Sequence, residues 1–242
     1  MKSHLSVDRQ QVMGIGTPPN TETWYPIPHG ELLSRTLALA ETSGMKLRNE
    51  NHTVSSDGLR YFGVLDIVNE GPAAQEYGLA IGIRNSHDKR FPAGLCVGSR
   101  VMVCSNLAFS GEITLARRHT KNIMADLDWI LSEAVGKIGD LRQRQETRIQ
   151  AYKGREFSDI LAHDALIKAV DAKVIPNADI PAILGQWRAP LHPEFAPRTA
   201  WSLFNCFTET LKGSNPLDLT SRTVRLHGLM DAFCGLAPVA AA

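Results

Sequence analysis

The spacing of apolar side chains predicts a helix near the start of the chain. Four leucines recur at helical spacing after a proline-rich entry: Leu32, Leu33, Leu37 and Leu39. Proline favours an extended entry, and Gly44 is placed to end the helix. We therefore predict a short helix over about 29–43.

The next segments have the period of β-strands. Two β-favouring runs flank the turn at 55–58, whose Asp-Gly pair is a strong hairpin signal. Residues 76–88 alternate large and small side chains, which predicts a strand with one bare face. Residues 93–105 predict a strand pair or one bent strand, and 111–120 predict a further strand, with a helical start as the alternative. Short connections between these strands indicate a mostly antiparallel sheet.

The pattern becomes helical at about residue 122. An amphipathic stripe with steps of three and four follows, formed by Leu127, Leu131, Ala134, Ile138, Leu141, Gln145, Ile149 and Tyr152. It predicts one helix of roughly thirty residues. Prolines separate four further predicted helices, at about 157–174, 179–187, 198–212 and 217–235.

A sheet followed by helices is the order of an α+β protein. We expect a hairpin-rich, mostly antiparallel sheet in the N-terminal half, and a long amphipathic helix with further helices in the C-terminal half. The expected organisation is a disordered leader over 1–22, a single domain over 23–236 and a disordered tail over 237–242. Within that domain, the sheet-rich lobe would cover 23–121 and the helical lobe 122–236.

The charge distribution gives the first indication of a partner. The formal net charge is only +1, but residues 111–155 carry nine Lys and Arg against six Asp and Glu. Basic side chains clustered along a helix are typical of phosphate contact, so we expect six residues of this segment to bind nucleic acid. They are Arg117, Arg118, Lys121, Lys137, Arg144 and Arg148. The alternative is a solvated helix face whose acidic-to-basic order suits the helix dipole.

Aromatic side chains in the sheet region are candidates for stacking on bases, and the core is the alternative place for them. These side chains are Tyr61, Phe62, Phe91 and Phe109. The polar segment Asn85, Ser86, His87, Asp88, Lys89 and Arg90 is predicted to be a hairpin loop and a candidate interaction surface.

Recognisable motifs for catalysis, metals and cofactors are missing from the sequence. Ser86, His87 and Asp88 are adjacent, and adjacent residues cannot form a triad with one another. The histidines and the four cysteines lack the spacing of metal ligands, and no phosphate-binding glycine loop occurs. We therefore expect no metal, no cofactor and reduced, mostly buried thiols. No run of residues has the length and apolarity of a membrane span or a signal peptide, so a cytoplasmic location is expected.

Several long motifs in the chain resemble a known family. They are GLAIGIRNSHDKRFPAGLCVGSRVMVCSNLAFSGEITLARRHT, AVGKIGDLRQRQETRIQAYK, WSLFNCFTETLK and RTVRLHGLMD. These runs closely resemble the phage- and plasmid-associated domain of unknown function numbered 932, over about 24–231. The resemblance implies a cytoplasmic protein of a mobile genetic element, a setting in which proteins commonly act on DNA or against host defences.

The order of strands followed by a long helix also resembles the core of Rad52-type single-strand annealing proteins, which form rings and bind DNA with basic residues beside that helix. This resemblance implies an oligomer that binds single-stranded DNA in recombination or annealing. It is a likeness of topology alone.

Three functions are therefore compatible with the sequence. The first is a non-enzymatic nucleic-acid-binding protein. The second is a protein-interaction module that modulates or blocks a host factor through the 85–90 loop and the long helix. The third is an enzyme with a scattered site, for which His87, Asp88, Cys104 and His119 are the candidates.

Overall fold

A computed structural model of the chain describes residues 4–68, 77–101, 107–212, 214 and 216–237. The side chains of residues 77, 97, 100, 101, 107, 109–117, 216 and 217 are outside that description. The chain is α+β, as predicted, with a six-stranded sheet in its N-terminal half and helices in its C-terminal half. Among the described residues, no helix is both long enough and apolar enough to cross a bilayer.

The sheet follows the order of its strands along the chain, β1 to β6. The strands are β1 (His4–Val7), β2 (Leu47–Ser55), β3 (Arg60–Ile67), β4 (Tyr77–Ser86), β5 (Ala93–Val101) and β6 (Leu107–Arg117). The pairs β1–β2, β2–β3 and β3–β4 are antiparallel. The predicted hairpin at 55–58 is confirmed, and Gly58 supplies the positive φ of 69° that the turn needs.

The predicted strands over 76–88 and 93–105 correspond to β4 and β5, and the strand interpretation of 111–120 is confirmed by β6. On the large-residue face of β4, Leu79, Ile81 and Ile83 are buried in the main core. The other face is buried as well, since Ala80 has no exposed surface.

The eight helices of the described chain are, in order, α1 (Arg9–Met13), α2 (His29–Thr42), α3 (Ile123–Gly136), α4 (Ile138–Gly154), α5 (Asp159–Asp171), α6 (Ile180–Arg188), α7 (Ala200–Thr210) and α8 (Pro216–Phe233). The helix predicted over 29–43 and the four predicted after 157 are confirmed within a few residues.

The predicted thirty-residue helix is bent, because α3 and α4 meet at Lys137. Gly136 and Gly139 flank the bend, and glycine weakens a helix interior. Every position of the predicted amphipathic stripe is nevertheless buried, from Leu127 to Tyr152.

The N-terminal segment differs from the prediction of a disordered leader. Residues 4–7 pair with β2, and α1 follows directly. Asp8 and Gln11 form a capping box, in which the Asp8 carboxylate accepts from the Gln11 N–H at 2.7 Å and the Gln11 side chain accepts from the Asp8 N–H at 2.8 Å. Val12 is fully buried, and Arg9 donates to Glu50 at 2.7 Å. The predicted tail lies outside the described residues apart from Ala237.

The described chain divides into two compact units, where we had predicted one domain with lobes over 23–121 and 122–236. Unit 1 contains the described residues 4–68, 78–98 and 112–141, and unit 2 contains 77, 99–101, 107–111, 142–212, 214 and 216–237. The division therefore falls inside α4. Because the α3 side chains from Ile123 to Val135 pack into the same core as α2 and the strands, α3 belongs to unit 1.

Unit 2 contains a buried polar network beside its apolar core. Arg148 donates to the Asp231 carboxylate at 3.0 Å and to Gln145 at 2.9 Å. The Tyr152 hydroxyl donates to the same Asp231 oxygen at 2.7 Å. Arg148 is 6% exposed and Asp231 is 3% exposed. A buried charge of this kind depends on its partner, so the pair holds α4 and α8 in one arrangement.

A glycine in β3 makes room for a second buried polar contact. His52 Nδ1 lies 3.0 Å from the Tyr61 hydroxyl, and Gly63 is opposite His52 in the sheet register. A Cβ at position 63 would overlap the Tyr61 hydroxyl and lie 3.1 Å from His52 Nδ1. The absence of a side chain at this position is thus required by packing.

We expect Gly63→Ala to lower the free energy of unfolding by about 1–3 kcal/mol, because overpacking a buried site forces its neighbours to move. Urea denaturation of the variant measures this change. Gly139→Ala is the matched control, because a Cβ there would meet no atom within 4 Å apart from its chain neighbours and the adjacent backbone of its own helix. The control should be neutral or slightly stabilising in a helix. Equal effects of the two substitutions would contradict the packing role of Gly63.

Candidate functional site

The last two residues of β4 and the residue that follows them are more buried than a solvent-facing loop. The prediction of a six-residue interaction loop is therefore wrong for Asn85, Ser86 and His87, which are at most 4% exposed. The Asn85 amide donates to the Ile27 carbonyl at 2.7 Å and to His29 Nδ1 at 3.0 Å. These hydrogen bonds anchor the end of β4 to the segment that precedes α2.

Asp88 organises the turn that follows. Its carboxylate accepts from Ser86 Oγ at 2.6 Å, from Arg60 Nε at 2.7 Å and from the Arg90 N–H at 3.3 Å. Burial acts to raise the pKa of Asp88, but the hydrogen bonds from Ser86 and Arg60 outweigh it and leave this pKa below its usual value. The negative charge of Asp88 is therefore balanced locally by Arg60.

The same turn holds Lys89 in the left-handed region, with a φ of 61°. A residue with a side chain seldom adopts this conformation, and it persists only where surrounding contacts fix it. The contacts of Asp88 with Ser86 and the Arg90 N–H bracket Lys89 on both sides. Lys89 and Arg90 are both exposed, so the turn presents two cations to solvent in a fixed order.

A pocket of about 570 Å³ opens beside this turn, within unit 1. The residues that decide its chemistry are Trp24, Lys89, Arg90, Phe91, Arg118 and His119. None of the described residues that line it is acidic. Since Lys89, Arg90 and Arg118 are cations at pH 7, the pocket is positively charged.

Trp24 forms an aromatic wall of the pocket. Its ring stacks on His119 at 6.0 Å between centroids and 7° between planes, and Lys89 Nζ lies 4.9 Å from its centroid. Phe91 has the Arg84 guanidinium 5.7 Å from its centroid. Trp24 and Phe91 are half-buried, so part of each ring faces the pocket or solvent.

Three buried histidines, His29, His87 and His119, lie close to the pocket, and their hydrogen bonds assign their tautomers. His29 Nε2 lies 3.1 Å from the Gly58 carbonyl, and His87 Nε2 lies 2.9 Å from the Ile27 carbonyl, so both Nε2 atoms carry a proton and donate. His119 Nδ1 accepts from the Ile27 N–H at 3.3 Å, so its proton also lies on Nε2. The rings of His29 and His87 stack at 3.8 Å.

This packing keeps the imidazoles neutral. Burial, together with a smaller effect of the neighbouring His87, lowers the pKa of His29 to about 3. Burial and His87 likewise lower the pKa of His119 to about 4. Burial also lowers the pKa of His87, against the opposing effects of its bond to Ile27 and of Asp88. At pH 7 the charge of the pocket therefore comes from its lysine and arginines.

The structure separates the six predicted nucleic-acid-binding residues. Arg118, Lys121, Lys137 and Arg144 are exposed, and Arg118 lines the pocket. Arg117 ends β6, and its side chain lies outside the described part of the chain. The prediction that Arg148 contacts phosphate is wrong for this structure, because its guanidinium is buried against Asp231.

Trp24 was not among the residues predicted from the sequence to form a site, and the 85–90 segment was not predicted to lie beside Arg118. Two contacts join the segment around Trp24 to His119: the Tyr25 N–H donates to the His119 carbonyl at 3.1 Å, and the Ile27 N–H donates to the His119 ring. The Ile27 carbonyl accepts from Asn85 and His87, which brings the end of β4 to the same segment. Of the predicted stacking aromatics, only Phe91 lines the pocket; Tyr61 and Phe62 are buried in the sheet, and the Phe109 side chain lies outside the described part.

The described candidates for a scattered enzyme site make other contacts. Asp88 accepts from Ser86 Oγ and Arg60 Nε. His87 Nε2 donates to the Ile27 carbonyl, and His119 Nδ1 accepts from the Ile27 N–H. Cys104 lies outside the described residues. Among the described residues, no group of three or more His, Cys, Asp or Glu is arranged to hold a metal ion. Cys96, Cys206 and Cys234 are free thiols, and Cys96 and Cys206 are buried.

Comparison with known proteins adds no relative. No protein-family model, no curated protein and no solved structure matches this chain.

Proposed function

We propose that this protein binds nucleic acid, and that Lys89, Arg90 and Arg118 at the pocket of unit 1 contact its phosphates. The observation that carries the proposal is the convergence of these cations with Trp24 and Phe91 around one pocket whose described lining has no acidic residue. Cations beside aromatic rings are the combination that nucleic-acid sites use for phosphates and bases.

The local ion pairs support this assignment. Asp88 is the acidic residue nearest in sequence to Lys89 and Arg90, and it is already paired with Arg60 at 2.7 Å. It therefore fixes the turn without cancelling the charge of the pocket. Each phosphate contact by an exposed Lys or Arg releases counterions, so binding should weaken as salt concentration rises.

The proposal predicts a large loss of binding when the pocket loses its charge. The triple variant Lys89→Gln, Arg90→Gln and Arg118→Gln should bind a labelled single-stranded oligonucleotide at least tenfold more weakly than the unmodified chain at moderate salt. It should also lower the slope of log affinity against log salt by about two, since each contact to a single strand contributes about 0.7. Fluorescence anisotropy across a salt series measures both quantities.

Lys46→Gln is the matched control, because Lys46 is an exposed cation of unit 1 outside the pocket lining. The control should keep both the affinity and the slope. A second control is the double variant Lys137→Gln with Arg144→Gln. It tests whether the exposed cations at the junction of α3 and α4 and on α4 itself contribute to binding. If this second pair reduces binding and the pocket variant does not, the proposed site is wrong. If no oligonucleotide binds at low salt, the proposed function is wrong, and a protein partner becomes the target of the search.

We further propose that this binding serves recombination or strand annealing, as the resemblance to a mobile-element family and to annealing proteins implies. The support is the shared order of strands followed by a long helix. Acceleration of the pairing of two complementary oligonucleotides, lost in the pocket variant, is the expected result. Binding without any acceleration of pairing would contradict this finer role.

A further inference from the structure

A deeper inference concerns the form in which nucleic acid enters the pocket, and it rests on the proposed function. We infer that the pocket holds one unpaired nucleotide, whose base lies against Trp24 while Lys89, Arg90 and Arg118 contact its phosphate. The size, the aromatic wall and the position of Lys89 each support this occupant.

The size favours a single small ligand unit. The pocket measures about 570 Å³, which falls within the range of about 300–1,000 Å³ typical of sites for small molecules and cofactors. A duplex is too wide to enter a pocket of this size, so only its backbone could touch the rim. A nucleotide with a free base could occupy the interior.

The aromatic wall favours an unpaired base. Trp24 is half-buried and lies in the wall of the pocket, not on a protruding surface. In a duplex both faces of each base are covered by neighbouring bases, so a recessed tryptophan cannot reach them. A single strand exposes base faces, and every base can stack on an aromatic ring.

The wall is also rigid before any strand arrives. His119 stacks on Trp24, and its own ring is oriented by the Ile27 N–H. Because His119 is buried and neutral, it supports the indole without placing a charge behind it. A side chain that is ordered in advance loses less conformational entropy on binding.

The Lys89 ammonium group lies over the ring of Trp24, on which a base would stack. This ammonium group lies 4.9 Å from the Trp24 centroid, and the backbone of Lys89 is in the left-handed region. A base that stacks on Trp24 replaces this exposed cation–π contact with a stronger base–aromatic stacking contact. The displaced ammonium then becomes available to the phosphate of the same nucleotide.

The test is competition on the unmodified chain. A labelled oligothymidylate of ten nucleotides is bound first, and deoxyadenosine monophosphate, deoxyadenosine or inorganic phosphate is then added. We expect the monophosphate to displace the oligonucleotide at concentrations at least tenfold lower than either fragment, because it alone offers both a base and a phosphate. Equal potency of phosphate and the monophosphate would overturn the inference.

Variants of Trp24 provide a second, independent readout. Trp24→Leu should weaken oligothymidylate binding about tenfold, because a stacked base is lost, while Trp24→Phe should retain most of the affinity. Binding to a blunt duplex should be unchanged by either substitution. An unchanged affinity of Trp24→Leu for the single strand would overturn the inference, and circular dichroism verifies that the variants are folded.

The outcomes separate this inference from the proposed function. If the oligonucleotide binds and the charge variant loses binding, but neither Trp24 variant nor the monophosphate has an effect, the function stands and the single-nucleotide occupant is wrong. If the oligonucleotide does not bind at all, the proposed function and this inference fail together.

Discussion

Replacing Arg148 with alanine should lower the free energy of unfolding by about 3–5 kcal/mol. The substitution leaves the Asp231 carboxylate buried without its cation, and an unpaired buried charge is among the most costly defects in a protein. The Tyr152 hydroxyl would still donate a hydrogen bond to Asp231, but a neutral hydroxyl does not balance the negative charge of the carboxylate. Urea denaturation of the variant and of the unmodified chain measures the difference.

Two further variants test the reason for that loss. Arg155→Ala removes an exposed cation near the end of the same helix and should change stability by less than about 0.5 kcal/mol. Arg148→Met combined with Asp231→Leu removes both charges and should recover most of the stability. An Arg148→Ala variant as stable as Arg155→Ala would contradict the buried ion pair. Because Arg148 is structural, a binding defect in its variants reports on folding.

Acidification from pH 7 to pH 5 should destabilise the chain by about 4 kcal/mol through His29 and His119. In the unfolded chain a histidine takes up a proton near pH 6.5, whereas the folded pKa values are about 3 and about 4. Between the folded and the unfolded pKa values, the unfolded state binds more protons than the folded state. The contribution of these two histidines to the free energy of unfolding is therefore fully present above pH 6.5 and is lost as the pH falls below that value. Each histidine contributes about 1.4 kcal/mol per pH unit.

The pH effect is measured by urea denaturation at pH 7, 6 and 5. His163→Gln is the control, because His163 is an exposed histidine, and it should leave the pH dependence unchanged. His29→Gln removes one of the titrating groups and should reduce the loss of stability between pH 7 and pH 5 by about 2 kcal/mol, the share of one histidine. Stability that stays constant from pH 7 to pH 5 would contradict the neutral, buried state of these imidazoles.

Local signals in the sequence were sufficient for most of the fold. The apolar stripe from Leu127 to Tyr152 is buried throughout, because a period of three and four positions one face of a helix whatever lies against it. The Asp-Gly turn formed its hairpin for a similarly local reason. The α1 helix could also have been found, since Asp8 and Gln11 have the spacing of a capping box ahead of Val12.

The candidate site depended on contacts between distant residues, which a local pattern does not contain. Arg148 lies beside the buried stripe, and its partner Asp231 is 83 residues away, so the clustering of basic residues along the helix predicted an exposed, phosphate-binding Arg148. The pocket likewise joins Trp24 to Arg118 and to the turn after β4. Basic composition singled out Arg118, which lines the pocket, but only the fold brings Lys89, Arg90 and Trp24 to the same place.

The most direct test of the central proposal is to locate the bound strand. An oligonucleotide containing bromodeoxyuridine, which forms covalent bonds with nearby aromatic side chains under ultraviolet light, is crosslinked to the chain, and the modified peptides are identified by mass spectrometry. We expect crosslinks at Trp24 and Phe91 that disappear in the triple pocket variant. Crosslinks confined to the helices of unit 2, or unchanged in that variant, would contradict a nucleic-acid site at this pocket.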